Sequence, residues 1–90
     1  MAKSKAFGGV TPAIWNCVKT TSFNEHGTVY SPPGANTGTA TTSTPVGDVV
    51  LGFNYDSVKD TVTYNIQKKP FIVSDYTIWN GIQETIDHCS

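Results

Sequence analysis

Two runs of strict alternation, separated by a polar break, constrain this chain more than any other feature. From Val49 to Tyr55 every second residue is apolar (Val49, Leu51, Phe53, Tyr55), and after Asp56-Ser57-Val58-Lys59-Asp60 the alternation resumes at Val62, Tyr64 and Ile66. Successive side chains of a strand point to opposite faces, so each run is a strand with one apolar side. The short break between them makes an antiparallel hairpin the economical reading. Such a hairpin presents an apolar face that needs a cover.

The C-terminal segment supplies one. Ser74 stands where a helix N-cap belongs, Asp75 suits the positive end of a helix, and Ile78, Ile82 and Ile86 recur every four residues with Trp79 beside them. The spacing predicts a helix over residues 74–88, its isoleucines packed on Val49, Leu51, Phe53, Val62, Tyr64 and Ile66. Gly81 weakens that helix by about 1 kcal/mol relative to Ala, so its stability comes from packing on the sheet. The expected fold is therefore α+β, mostly β. It is a small antiparallel sheet of about four or five strands with one C-terminal amphipathic helix packed on one face. One domain spans residues 1–90, because a chain of 90 residues buries only about 60% of its unfolded surface and cannot divide that between two cores.

The first half of the chain is less patterned. Residues 1–9, with two Lys and a Gly pair, read as a mobile lead-in. Residues 14–21 (IWNCVKTT) are rich in β-branched and aromatic types and are read as a strand, paired across the turn at Asn24-Glu25-His26-Gly27 with residues 28–31. The alternative is a short helix with Thr11 as N-cap and Pro12 at its first position. Residues 32–47 open with Pro32-Pro33-Gly34 and are otherwise mostly Thr, Ser, Ala, Gly and Asn, which makes them a surface loop or a weak edge strand. Phe53, Tyr55, Tyr64 and Trp79 are assigned to the core, and Trp15, Tyr30 and Tyr76, beside polar residues, to half-exposed positions.

Charge argues against several function classes. The six cations are all Lys and the net charge is −1, so the basic excess and guanidinium forks of phosphate recognition are missing and nucleic acid is not expected as a partner. No apolar run reaches the ~20 residues of a membrane span, and no signal-peptide core follows the initial Met in the sequence as given. The compartment stays unassigned, although abundant Thr and sparse charge lean toward secreted or surface β-domains.

Cys17 and Cys89 lack the spacing of a redox CxxC pair, and an even count in a surface-type chain makes one disulfide between them the expectation. It would tie the first strand to the end of the helix. With His26 and His88 they have zinc-ligand types but not zinc-ligand spacing, so no metal and no cofactor are assigned. Asp87, His88 and Ser90 lie together on a chain end, and triad members meet across a fold, so no catalytic residue is assigned either.

What remains is a surface. On the outward side of the main hairpin, Asn54, Thr63, Asn65 and Gln67 form a run of neutral hydrogen-bonding groups where a solvated face more often carries Lys and Glu. With a nearby ring such as Tyr30 they make a candidate ligand platform. The functional expectation is a non-enzymatic binding or interaction module, for a carbohydrate or a surface protein. The alternatives are a self-assembling structural protein that pairs through a sheet edge and a small hydrolase whose site only the fold brings together.

Overall fold

The computed structural model describes residues 3–90, ordered as β1 (Ser4–Phe7), α1 (Pro12–His26), β2 (Val29–Ser31), β3 (Thr37–Thr44), β4 (Gly47–Asp56), β5 (Thr61–Lys68) and α2 (Asp75–Cys89). The strands make one antiparallel sheet in the order β1-β5-β4-β3-β2. The fold is α+β and mostly strand, with α2 packed on the sheet. The alternation of β4 and β5 reads through directly: Val49, Leu51, Phe53, Tyr55, Val62 and Tyr64 are buried, and Ile66 is half-buried.

Helix α2 starts where its cap predicts. The Ser74 hydroxyl accepts from the Thr77 N–H at 3.1 Å, and Asp75 in the first turn pairs with Lys69 at 3.5 Å. Trp79 and Ile86 are its buried apolar side chains, while Ile78 and Ile82 are only partly covered. The isoleucine stripe thus faces the sheet without filling the space beneath it.

Three expectations for the first half are overturned. Residues 14–21 are helical, not a strand. Thr11 caps α1 by accepting from the Ile14 N–H at 3.3 Å, Pro12 occupies the first turn, and Gly27 closes the helix in the left-handed conformation at φ 68°. The β-branched residues are overridden because helical spacing puts Trp15, Val18 and Ser22 together against the sheet. Of the expected mobile lead-in, Ser4–Phe7 is instead an edge strand whose Phe7 lies opposite Val62 and is buried. Residues 1 and 2 lie outside the described residues. Within residues 32–47, Thr37–Thr44 is neither a loop nor an edge. It is an interior strand paired on both sides, with β4 and with β2.

The core lies between the inner sheet face and the two helices. Trp15, 2% exposed, stacks on Tyr55 with ring centroids 5.0 Å apart and also meets Phe53, Tyr30 and Tyr64. Its expected half-exposed position is therefore wrong, whereas Tyr76 is exposed and Tyr30 intermediate. Tyr55 turns its hydroxyl to the Val10 carbonyl at 2.8 Å and so holds the segment between β1 and α1 against the sheet. Cys17 and Cys89 stand with Cα atoms 5.8 Å apart and their sulfurs at disulfide-bonding distance, which joins α1 to α2 and not a strand to a helix.

Candidate functional site

The sheet separates two surfaces. On the outer face, which neither helix covers, cross-strand pairing aligns Ser31, Thr39, Gly52, Asn65 and Ser4 in one row across all five strands. The next row is Thr37, Asn54, Thr63 and Ala6. Neither row carries a charge. A register shift at Val50/Leu51 makes Gln67 an extra residue on β5, a bulge that aims its amide over the centre of the first row. A β-carbon at Gly52 would collide with the Asn65 amide oxygen and stand 2.7 Å from Gln67 Nε2, so the two amides use the space that glycine leaves.

Asn54, Thr63, Asn65 and Gln67 are thus brought together. Tyr30 is not among them. Its partner in the ladder is Ala40, on the inner face, and its ring packs on Trp15 and Phe53.

The second surface is concave. Between α1, α2 and the inner sheet face lies a cleft of about 260 Å³. Its walls are Val18 from α1 and Ile78 and Ile82 from α2, and its floor is Ala40, Val49, Leu51, Tyr30 and Tyr64. The space exists because the sheet offers small residues there, Ala40 and Thr42 on β3, while α2 presents Gly81. Among the described residues, the two chain neighbours and the helix's own backbone apart, no atom lies within 4 Å of where a Gly81 β-carbon would stand.

Hydroxyls punctuate this apolar lining. The Tyr30 and Tyr64 hydroxyls are 2.9 Å apart, and Ser22 lines the cleft beside them from α1. The Thr28 and Thr42 hydroxyls meet at 2.6 Å, and Thr85 donates to the Gly81 carbonyl at 2.9 Å. Burial pushes the Tyr64 phenol well above the usual tyrosine range, and the neighbouring Tyr30 adds to the rise. Burial also raises Tyr30, while its hydrogen bond to Tyr64 and the nearby Ser22 hydroxyl act in the opposite direction. Both phenols are therefore neutral donors and acceptors at physiological pH. Among the described residues no Lys, Asp or Glu lines the cleft, and His26, on an exposed turn of α1, is the one ionisable nitrogen there.

Sequence reasoning missed the cleft. Its lining comes from six elements, every one but β1. One local signal was present: a glycine in the middle of an otherwise amphipathic helix, on the side of Ile78 and Ile82. Among the described residues no three of His, Cys, Asp and Glu gather as a metal-holding group, and no helix is long and apolar enough to cross a membrane. Compared with protein-family models, with curated proteins and with solved structures, the chain matches none.

Proposed function

We propose that the chain is a non-enzymatic binding module whose ligand seat is the interhelical cleft. The observation that carries this reading is Gly81. Glycine in a helix interior costs about 1 kcal/mol relative to Ala, and here a side chain would meet open space, so the fold has no steric need for it. Sites kept open for a ligand are where stability is characteristically forgone. An apolar lining with a few converging hydroxyls is also the ordinary chemistry of a small-molecule seat.

Gly81 provides the test as well. Gly81→Ala is expected to raise stability by about 0.5–1 kcal/mol in urea unfolding. Gly81→Leu should keep the fold and fill the cleft. A fragment screen followed by heteronuclear NMR would show shifts at Val18, Tyr30, Ile78 and Ile82 in the parent chain and none in Gly81→Leu. Ligands that bind both chains equally would place the seat elsewhere.

A second reading has its own observation. The two uncharged rows of the outer face suit a neutral, hydroxyl-rich partner such as a carbohydrate, since amides and hydroxyls can bond its rim. Each lost neutral hydrogen bond is worth about 0.5–1.5 kcal/mol, so Asn65→Ala should weaken glycan binding several-fold with the fold intact. A glycan array and titration check it. Binding that is unchanged in Asn54→Ala and Asn65→Ala would leave this face as solvated surface.

A further inference from the structure

Resting on the cleft as ligand seat, we infer the chemical class of its occupant: an uncharged molecule with an apolar body and a single hydroxyl or carbonyl group that bonds the Tyr30–Tyr64 hydroxyl pair. The argument starts from what the lining lacks. A carboxylate or phosphate entering the cleft would leave water and meet no lysine, and an ammonium would meet no carboxylate. An ion buried without a partner is strongly disfavoured, so charge on the ligand works against binding at either sign.

The phenol pair then selects among neutral groups. Tyr30 and Tyr64 carry one hydroxyl hydrogen each, and one link joins them. That link uses one hydrogen. The other remains to donate to an acceptor, while lone pairs on the same oxygens remain to accept. A hydroxyl or carbonyl oxygen on the ligand meets that requirement, and a purely hydrocarbon ligand would leave buried polar groups unanswered. Of the other cleft hydroxyls, Thr85 is held by the Gly81 carbonyl and Thr77 meets Ser74, while the Thr28–Thr42 pair also keeps one hydrogen, and the Phe variants below distinguish that pair from the phenols. The polar group of the ligand therefore sits at the sheet floor, and its apolar part lies along Val18, Ile78 and Ile82.

The test uses probes that share one body and differ only in the head group: 1-octanol, octanoate, octylammonium and plain octane, titrated into the oxidised chain at pH 7.5 and followed by NMR shifts at the cleft residues. The expected result is that octanol binds at least tenfold more tightly than either ion and more tightly than octane, and that Tyr30→Phe or Tyr64→Phe narrows the margin over octane. Octanoate or octylammonium binding as tightly as octanol would overturn the inferred class and leave the cleft reading standing. If neither octanol nor octane moves any cleft resonance in the parent chain, the ligand seat itself is wrong. Octane equal to octanol in the parent chain would reject the role of the phenol pair. Far-UV circular dichroism of each Phe variant separates lost binding from lost fold, and where one fails to fold, the other removes the same hydroxyl link.

Discussion

Trp15→Ala is expected to cost about 3–5 kcal/mol, the range for truncating a large buried aromatic, out of the ~5–15 kcal/mol available to a small domain. The position explains the size. Trp15 is 2% exposed and lies where α1 meets the centre of the sheet, with its ring stacked on Tyr55 at 14° and edge-on to Tyr30 at 88°. Removing it opens a cavity bordered by β2, β4 and β5 at once, and the flat sheet below cannot collapse to fill it. Lys19 also loses the ring over which its ammonium lies, 5.4 Å from the centroid. The buried indole N–H has no hydrogen-bond partner among the described residues, so Trp15→Phe sacrifices packing but no hydrogen bond and should be much the milder change. Urea unfolding followed by far-UV circular dichroism gives both values. A loss under 1 kcal/mol for the alanine variant would remove Trp15 from the centre of the core.

Breaking the Cys17–Cys89 link should have a comparable effect through the unfolded chain. The two cysteines are 72 residues apart, and closing a loop of that length restricts the denatured ensemble by about 4 kcal/mol in the chain-entropy treatment. At about 4–8 °C per kcal/mol, a tris-carboxyethylphosphine-treated sample or the double Ser variant should melt roughly 15–30 °C lower. Non-reducing digestion and mass spectrometry should recover the cross-linked peptide. Freely alkylated thiols in protein never exposed to reductant, or equal melting with and without reductant, would contradict the link.

Legibility of the sequence followed side-chain size. Strands β4 and β5 could be read because their inward positions are large and apolar and their outward ones polar. Helix α2 could be read because Ser74 marks its start and the isoleucines keep helical spacing. Strand β3 was hidden because its inward residues are Gly38, Ala40 and Thr42, too small to signal a buried face. At Gly38 this smallness is required, since a β-carbon there would collide with the Ser31 carbonyl of β2. Helix α1 was misread because its third buried position is Ser22, so only Trp15 and Val18 advertise the face, amid Thr and Asn that favour other conformations. Its cap, Thr11-Pro12, was the better guide. On the candidate sites, alternation placed Asn54, Thr63, Asn65 and Gln67 on one side, bulge included. Tyr30 could not be assigned a face, because a three-residue strand has too little alternation to orient it. The cleft is tertiary throughout and no periodicity announces it.

The sheet order has a consequence for how the chain must be made. Strand β1, synthesised first, pairs only with β5, Ser4 lying opposite Asn65, whereas β3, β4 and β5 join through neighbouring turns. A ribosome adding about 5–20 residues per second needs roughly 3–12 s to deliver the partner strand after β1 has been polymerised. During that interval Phe7 and Trp15 have been made but the surfaces that will bury them have not. The hairpins can form in order of synthesis, yet the edge strand must wait for β5. Pairing of β1 is therefore completed only after β5 has been made, and a nascent chain held by a holdase through those seconds should give a higher yield of native protein than one left to collapse alone.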